Sequence, residues 1–196
     1  GLFALGFEGL NVTVPHKISV MESLCAIDSL AEKIGAVNTL KRTPNGFKGY
    51  NTDILGLKKS FNINKTEITN NTVMLLGAGG AANSAAVLLA EMNAKKIIFV
   101  NRTKEKAEAL KNQISSYYTG ETDVIGFDDI YSYPKPDVVI NATSVGMGEG
   151  KWISPITDEN FFDGVKSVFD VIYIPWETKL LHDARNHGCK CVNGFD

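Results

Sequence analysis

The chain has 196 residues, of which 44% are hydrophobic and 21% charged, with 20 Lys and Arg against 22 Asp and Glu. This composition is typical of a folded globular protein and excludes a disordered chain. The length suits one domain plus part of another, with a core that needs no disulfide or metal. Because there is neither a basic run nor an apolar stretch of ~20 residues, we expect no nucleic acid or membrane partner.

Three cysteines, Cys25, Cys189 and Cys191, form an odd and sparse set. No cluster of His or Cys completes a metal site, so we expect no metal and predict reduced thiols in a cytoplasmic protein. The chain begins with Gly1 and ends with Asp196, and we therefore expect it to be a segment of a longer polypeptide.

The first region, residues 1–55, has short elements. An apolar run at 10–14 predicts a strand, and Pro15 predicts the first turn of a helix that continues to about Cys25, because proline suits that position. A second helix is predicted over 29–34. The segments 36–42 and 47–52 flank Thr43-Pro44-Asn45-Gly46, and Asn-Gly indicates a β-hairpin turn.

The second region, residues 56–196, alternates strands and helices, which predicts an α/β fold with a parallel sheet and right-handed crossovers. A loop over 60–71 is expected to join the regions. The predicted strands are 72–76, 96–100, 124–125, 137–140, 168–172 and 191–192. The predicted helices are 81–92, 104–113 and 177–186, and Ala107 and Leu110 mark the inner face of the second.

A glycine-rich turn follows the strand at 72–76. It reads Gly77-Ala78-Gly79-Gly80-Ala81-Ala82 and fits G-x-G-x-x-(G/A). Gly77 permits the tight turn, Gly79 lets the backbone approach a pyrophosphate, and Ala82 permits close packing of the next helix on the strand. Three glycines in a short segment often indicate no more than a tight turn. Their place between a strand and a helix nevertheless favours a dinucleotide site, since the helix N-terminus offers free N–H donors.

The next strand ends in Asn101-Arg102-Thr103-Lys104-Glu105-Lys106. An NAD site would place an acid at the strand end to hold the ribose 2′-hydroxyl, whereas Arg102 and Lys106 are suited to a 2′-phosphate. These cations could instead be solvated at the start of a helix. They oppose the helix dipole there, however, which favours a bound anion and hence NADP over NAD.

Lys17 and Asp53 are the candidate catalytic residues. Each has an ordinary alternative: Lys17 could be a solvated surface lysine, and Asp53, which opens the next helix, could be an N-cap. Neither residue is decisive when it is taken alone.

Taken together, the motifs resemble one family. They are, in order, Asn11-Val12-Thr13-Val14-Pro15-His16-Lys17, Gly35-Ala36-Val37-Asn38-Thr39, Gly49-Tyr50-Asn51-Thr52-Asp53, Gly77–Ala82, Asn101-Arg102-Thr103, Asn141-Ala142-Thr143-Ser144-Val145-Gly146-Met147 and Asp170-Val171-Ile172-Tyr173-Ile174-Pro175. This order resembles the shikimate dehydrogenase family along essentially the whole chain. The resemblance implies a doubly wound Rossmann-type NADP domain at 56–196, preceded by the C-terminal part of a smaller α/β substrate domain at 1–55.

The resemblance also implies a role for individual residues. Lys17 and Asp53 would be the catalytic pair, for an NADPH-dependent and reversible reduction of 3-dehydroshikimate to shikimate in chorismate and aromatic amino-acid biosynthesis. The substrate would contact Thr13, Lys17, Asn38, Asp53 and Tyr173. NADP would contact Gly77, Ala78, Gly79, Gly80, Ala81, Asn101, Arg102, Thr103, Lys106, Thr143, Ser144, Ile172 and Gly194.

The sequence departs from the family pattern in three places. A preceding strand–helix–strand unit with a Ser-x-Ser pair and a C-terminal return helix with a substrate-binding Gln are absent, so we expect this segment alone to bind substrate weakly. Ile54 stands where many relatives have Gly.

Three alternatives to this function stay open. They are a quinate/shikimate dehydrogenase that uses NAD, a non-catalytic NADP-binding regulator, and one module of a multifunctional polypeptide. A monomer or homodimer is expected.

Overall fold

The computed structural model describes residues 1–148 and 151–195. Residues 149, 150 and 196, which belong to the predicted second region, lie outside the described part. Two sheets are present. The smaller sheet lies in the first region and the larger in the second.

The smaller sheet has four strands in the order β1-β3-β4-β2. They are β1 (Gly9–Asn11), β2 (Ala26–Ile27), β3 (Thr39–Thr43) and β4 (Gly46–Tyr50), with helix α1 (Ser29–Ile34) between β2 and β3. Strand β3 is antiparallel to β1 and β4, and β2 is parallel to β4. Helix α1 and the β3–β4 hairpin are confirmed. The pairing of Thr43 with Gly46 leaves Pro44 and Asn45 as the turn.

The predicted helix from Pro15 to Cys25 is wrong. Only a short 3-10 helix forms there, at Ser19–Ser23. The Met21 and Leu24 N–H groups bond to carbonyls three residues back, as in a 3-10 helix. The Lys17 carbonyl accepts from the Val37 N–H at 2.8 Å rather than from residue 21. The preceding strand ends at Asn11 rather than at residue 14.

The larger sheet has six parallel strands in the order β10-β9-β8-β5-β6-β7. They are β5 (Thr72–Leu76), β6 (Lys96–Val100), β7 (Glu121–Ile125), β8 (Val138–Asn141), β9 (Ser167–Asp170) and β10 (Lys190–Val192). This is the doubly wound Rossmann order, with the switch point between β5 and β8. The predicted α/β fold with a parallel sheet is confirmed.

Four helices accompany this sheet. They are α2 (Asp53–Ile63), α3 (Gly80–Glu91), α4 (Lys104–Ile114) and α5 (Lys179–Asn186), with 3-10 helices at Phe127–Ser132 and Glu159–Phe162. Ala107 and Leu110 of α4 are buried, as predicted.

Several predicted boundaries need correction. Strand β7 begins at Glu121 rather than at residue 124, and most of the other ends differ by one residue. Helix α2 continues to Ile63 inside the predicted loop 60–71, because its buried Phe61 packs edge-on against Phe169 with ring centroids 5.0 Å apart. Strand β9 ends at Asp170, whose side chain binds the N–H of Ile172. Helix α5 begins at Lys179, since the Thr178 side chain caps it.

The core lies on both faces of the larger sheet. Val73 and Leu75 of β5 pack with α3 on one face, and Met74 and Leu76 pack with α5 on the other. A strand that is buried on both faces has a continuous apolar sequence, which explains why residues 72–76 could be recognised. Helix α2 crosses the predicted boundary between residues 55 and 56, so the division into regions at that point stays a prediction.

None of the helices in the described residues has the length and apolar character needed to cross a bilayer. Cys25, Cys189 and Cys191 are free thiols. Within residues 1–148 and 151–195, no three His, Cys, Asp or Glu side chains come together in a group that could hold a metal ion.

Candidate active site

Lys17 and Asp53 form an ion pair. The Lys17 Nζ atom lies 2.7 Å from Asp53 Oδ2, and the two side chains are 15% and 27% exposed. Lys17 lies in the turn after β1, and Asp53 is the first residue of α2. The pair is accessible to a small molecule, yet shielded enough for its charges to act strongly on one.

Asn38 fixes the second oxygen of the Asp53 carboxylate. Its Nδ2 atom donates to Asp53 Oδ1 at 2.7 Å, and its Oδ1 atom accepts from the Thr52 N–H at 2.9 Å. The three side chains Lys17, Asn38 and Asp53 therefore form one connected group. Asn38 was predicted to contact substrate, and the structure also gives it the task of orienting Asp53.

Lys17 contacts the second region directly. A Cβ built on Gly80, the first residue of α3, would lie 3.0 Å from Lys17 Cδ and 3.1 Å from Lys17 Cβ. The stem of Lys17 therefore lies against the start of the glycine-rich helix. This contact brings the ion pair of the smaller sheet to the glycine-rich turn of the larger one.

Asn51 is a site residue that the sequence analysis missed. Its Oδ1 atom accepts from the Asp53 N–H at 3.0 Å and from Ser84 Oγ of α3 at 3.3 Å, and its Nδ2 atom donates to the Ala36 carbonyl at 2.9 Å. It thus ties the residue that carries the carboxylate to the helix that follows the phosphate loop. The pattern Asn-x-Asp at a helix start indicates a local turn in which the Asn side chain binds the backbone two residues on. The bond to Ser84 joins residues 33 positions apart, so no local pattern indicates it.

The glycine-rich turn lies at the switch point of the sheet and fits a dinucleotide. Gly77 has φ +103°, and a Cβ there would lie 3.0 Å from the Ala142 carbonyl oxygen after β8, so only glycine suits the position. Gly79 is exposed, with no atom within 4 Å of the place where its Cβ would be. Gly80 and Ala81 begin α3, whose free N–H groups face this space.

Replacing Gly79 by Ala tests this cradle. The added methyl would occupy the open space where a pyrophosphate is expected, and we expect NADPH binding to weaken by roughly 1–3 kcal/mol. The free energy of unfolding should fall by less than about 1 kcal/mol, since alanine is only a poorer N-cap residue. Isothermal titration with NADPH and urea unfolding measure the two quantities.

Gly56→Ala is the matched control for that experiment. Gly56 is exposed within α2 and also has no atom within 4 Å of its Cβ position. This change should raise stability by roughly 0.5–1 kcal/mol and leave NADPH binding unchanged. Equal NADPH affinity in Gly79→Ala and the wild type would contradict a pyrophosphate at this turn.

The turn after β6 presents two exposed cations, Arg102 and Lys106. In the described part of the chain, Arg102 makes no hydrogen bond or ion pair. Asn101 stabilises the turn, because its Nδ2 atom donates to the Thr103 carbonyl at 2.8 Å. A free guanidinium at this place is suited to the 2′-phosphate that distinguishes NADP from NAD.

The turns after β8 and β9 complete the edge of the sheet. The predicted residues Thr143 and Ser144 follow β8, and Ile172 follows β9. Thr143 Cγ2 lies 3.1 Å from the Cβ position of Gly77. Gly194 donates its N–H to the Ile172 carbonyl at 3.1 Å. Because carboxyl ends of parallel strands share one edge, these residues and Gly77 lie along one crevice.

A cavity of about 550 Å³ lies between the two regions. Val14, Pro15, Lys17, Ile18 and Gly35 line one side, and Ala78, Gly79, Gly80, Asn83, Lys106, Ala109, Leu110 and Gln113 line the other. It thus joins Lys17 to the glycine-rich turn and to Lys106. The cavity does not extend to Arg102, Thr143 or Tyr173.

Two predicted substrate residues stand apart from the ion pair. Thr13 and Tyr173 are exposed, and in the described residues neither side chain hydrogen-bonds to Lys17, Asn38 or Asp53. Their predicted roles depend on the substrate and are not visible in protein contacts.

Comparison with known proteins bears on the same regions. Residues 58–147 match the family described as Shikimate / quinate 5-dehydrogenase, and residues 1–40 match the shikimate dehydrogenase substrate binding domain. The "Shikimate dehydrogenase (NADP(+))" of Caldanaerobacter subterraneus subsp. tengcongensis is 40% identical over 195 residues, which cover 100% of this chain and 69% of that protein. The chain belongs to the shikimate dehydrogenase family.

Solved structures of the shikimate dehydrogenase fold agree. A chorismate mutase/shikimate 5-dehydrogenase fusion protein from Clostridium acetobutylicum has TM-score 0.85 and 39% identity, over 97% of this chain and 66% of that one. Quinate dehydrogenase from Corynebacterium glutamicum in complex with NAD has TM-score 0.84 and 30% identity, over 98% of this chain and 68% of that one. The chain spans about two thirds of the length of these relatives. The curated relatives that match its full length are NADP(+) enzymes, so this chain is an NADP-dependent oxidoreductase that acts on a CH–OH group.

Proposed function

We propose that this chain carries the catalytic pair and the cofactor crevice for the NADPH-dependent, reversible reduction of 3-dehydroshikimate to shikimate. The observation that carries the proposal is the 2.7 Å ion pair of Lys17 with Asp53, held against Gly80 at the start of the phosphate-loop helix. This contact brings a proton donor to the expected cofactor crevice.

The chain's own residues divide the work of the reaction. When bound, the reduced cofactor supplies the hydride to the ketone carbon. The Lys17 ammonium stabilises the negative charge that develops on the ketone oxygen and then donates a proton to it. Asp53 orients that ammonium and accepts a hydrogen bond from a substrate hydroxyl, while Asn38 holds the other carboxylate oxygen.

Further residues bind the two reactants. Thr13, Asn38 and Tyr173 contact the hydroxyls and carboxylate of the substrate. The cofactor is held by the phosphate loop (Gly77, Ala78, Gly79, Gly80, Ala81), by the turn after β6 (Asn101, Arg102, Thr103, Lys106) and by the turn residues Thr143, Ser144, Ile172 and Gly194. The Arg102 guanidinium, which has no partner among the described residues, supports NADP over the NAD of the alternative quinate/shikimate dehydrogenase. The intact Lys17–Asp53 pair supports an enzyme over a non-catalytic regulator.

We expect a cytoplasmic protein, because its thiols are free and the cytoplasm keeps thiols reduced. A monomer or homodimer is expected. The Clostridium acetobutylicum relative is fused to a chorismate mutase, and a fusion to a second pathway enzyme is the alternative for this chain.

Absorbance at the reduced-nicotinamide band tests the proposed function. The purified enzyme is assayed with shikimate or quinate, each with NADP or NAD. The largest kcat/KM is expected for shikimate with NADP. A larger value for quinate with NAD would establish the alternative, and no turnover with any combination would contradict a catalytic role.

A further inference from the structure

Asp170 is a buried carboxylate at the end of β9 that the proposed chemistry does not use. Its side chain has no exposed surface, and in the sheet register it faces Asn141 at the end of β8. Three neutral donors bind it: Asn141 Nδ2 at 3.0 Å, the Ile172 N–H at 3.1 Å and Thr178 Oγ1 at 2.7 Å. Burial raises the pKa of Asp170 to about 6, although the three hydrogen bonds oppose the rise.

The bond to Asn141 extends into the turn after β8. Asn141 Oδ1 accepts from both the N–H and the hydroxyl of Thr143, at 3.0 and 2.7 Å. The Thr143 hydroxyl oxygen then accepts from the Val145 N–H at 3.1 Å. A chain of hydrogen bonds that starts at Asp170 thus fixes the whole turn, including the methyl group of Thr143 beside Gly77.

The other two bonds fix the turn after β9. The bond to the Ile172 N–H ends the strand and sets the direction of the chain. Ile172 in turn accepts the N–H of Gly194, whose Cβ position is occupied by the Val171 carbonyl. Thr178 completes the arrangement, because it donates to Asp170 while it caps α5 through the Leu181 N–H at 3.3 Å.

We infer that Asp170 is a positioning residue for the nicotinamide half of the cofactor. It holds the turns after β8 and β9 in one fixed relation and touches no reactant itself. The inference rests on the proposed function, which places the cofactor across these turns. None of the three bonds reaches Gly79 or Arg102, where the pyrophosphate and the 2′-phosphate are expected.

This division predicts separate effects on turnover and binding. Asp170→Ala frees both turns, so the nicotinamide loses its alignment with the substrate while the rest of the cofactor stays bound. We expect kcat to fall about 10-fold to 100-fold, with the Kd for NADPH within about threefold of wild type. Bound NADPH should also lose the change in nicotinamide fluorescence that it shows on binding to the wild type, a readout that needs no turnover.

Asp170→Asn is the conservative variant. Its amide oxygen accepts from Asn141 and the Ile172 N–H, and its NH₂ group donates to the second lone pair of the Thr178 hydroxyl oxygen, whose first accepts from the Leu181 N–H. We expect it to restore kcat to within about threefold of wild type and to restore the fluorescence change. Asp183→Ala is the matched control. Asp183 is also buried, but among the described residues its side chain pairs with Lys179 of its own helix, so its loss should lower stability and leave both readouts unchanged.

Several outcomes would overturn the inference. One is an Asp170→Ala variant with unchanged kcat and an unchanged fluorescence change. Another is an equal loss of kcat in the Ala and Asn variants, and a third is a Kd for NADPH in Asp170→Ala that rises by as large a factor as kcat falls. If Asp170→Ala does not fold, Thr178→Val and Thr178→Ser replace it. Valine removes the hydroxyl that binds Asp170 and serine keeps it, so only the Val variant should show a lower kcat and lose the fluorescence change. A wild type that binds NADPH with a fluorescence change but has no turnover would contradict the proposed function and leave the fluorescence test of Asp170 valid.

Discussion

Lys17→Met is expected to lower kcat by about 10²–10⁴-fold, because it removes the group that stabilises and protonates the developing alkoxide. That loss corresponds to roughly 3–5 kcal/mol of transition-state stabilisation. Methionine keeps an apolar stem against Gly80, so the contact between the two regions is preserved. NADPH affinity should therefore stay nearly unchanged. Steady-state kinetics with 3-dehydroshikimate and titration with NADPH measure the two effects.

Lys48→Met is the control for Lys17. Lys48 lies in the same small sheet and forms an ion pair with Asp28 at 3.7 Å, away from Asp53. Its replacement removes the same charge from the same region, and kcat should not change. Wild-type turnover in Lys17→Met would remove this lysine from the mechanism. A parallel loss in Lys48→Met would mean that net charge, rather than the position of one ammonium, governs the rate.

Arg102→Ala is expected to weaken NADPH binding by roughly 1–3 kcal/mol and to leave NADH binding unchanged. Its guanidinium has no protein partner in the described residues, so no existing ion pair is lost with it. The whole effect should come from the 2′-phosphate, which only NADPH carries. Binding of both cofactors, measured by nicotinamide fluorescence at low salt, gives the ratio.

Lys104→Ala is the matched control for Arg102. Lys104 lies two residues further on but is engaged by Asp129 at 3.1 Å. We expect the preference for NADPH over NADH to survive this change. Equal losses for NADPH and NADH in Arg102→Ala would show that Arg102 does not recognise the 2′-phosphate, and the choice of NADP would then need another explanation.

The fold of the second region was largely readable from the sequence. Strands β5 and β6 were predicted at their observed bounds, because strands buried on both faces are continuous apolar runs. Helix α1 was also predicted at its observed bounds. In place of the predicted helix after Pro15, the Lys17 carbonyl accepts a tertiary bond from Val37, and local propensity does not include such a bond.

The residue types of the candidate site were predictable, but most of its connections were not. Lys17 and Asp53, which are 36 positions apart, were expected as a pair only through the family resemblance. Asn51 and Asp170 were quoted in motifs without a role. Their partners lie 33 and 29 positions away, in Ser84 and Asn141, and only the folded chain brings them together. Single-sequence patterns describe local order and carry no information on such pairs.

The contact between Lys17 and Gly80 also limits how the two halves of the molecule can move. At this point the gap is narrower than one methyl group, so the halves cannot come closer here without a clash. A larger side chain at position 80 would press against the stem of Lys17, so it would either force the two halves apart or push the lysine out of its ion pair with Asp53.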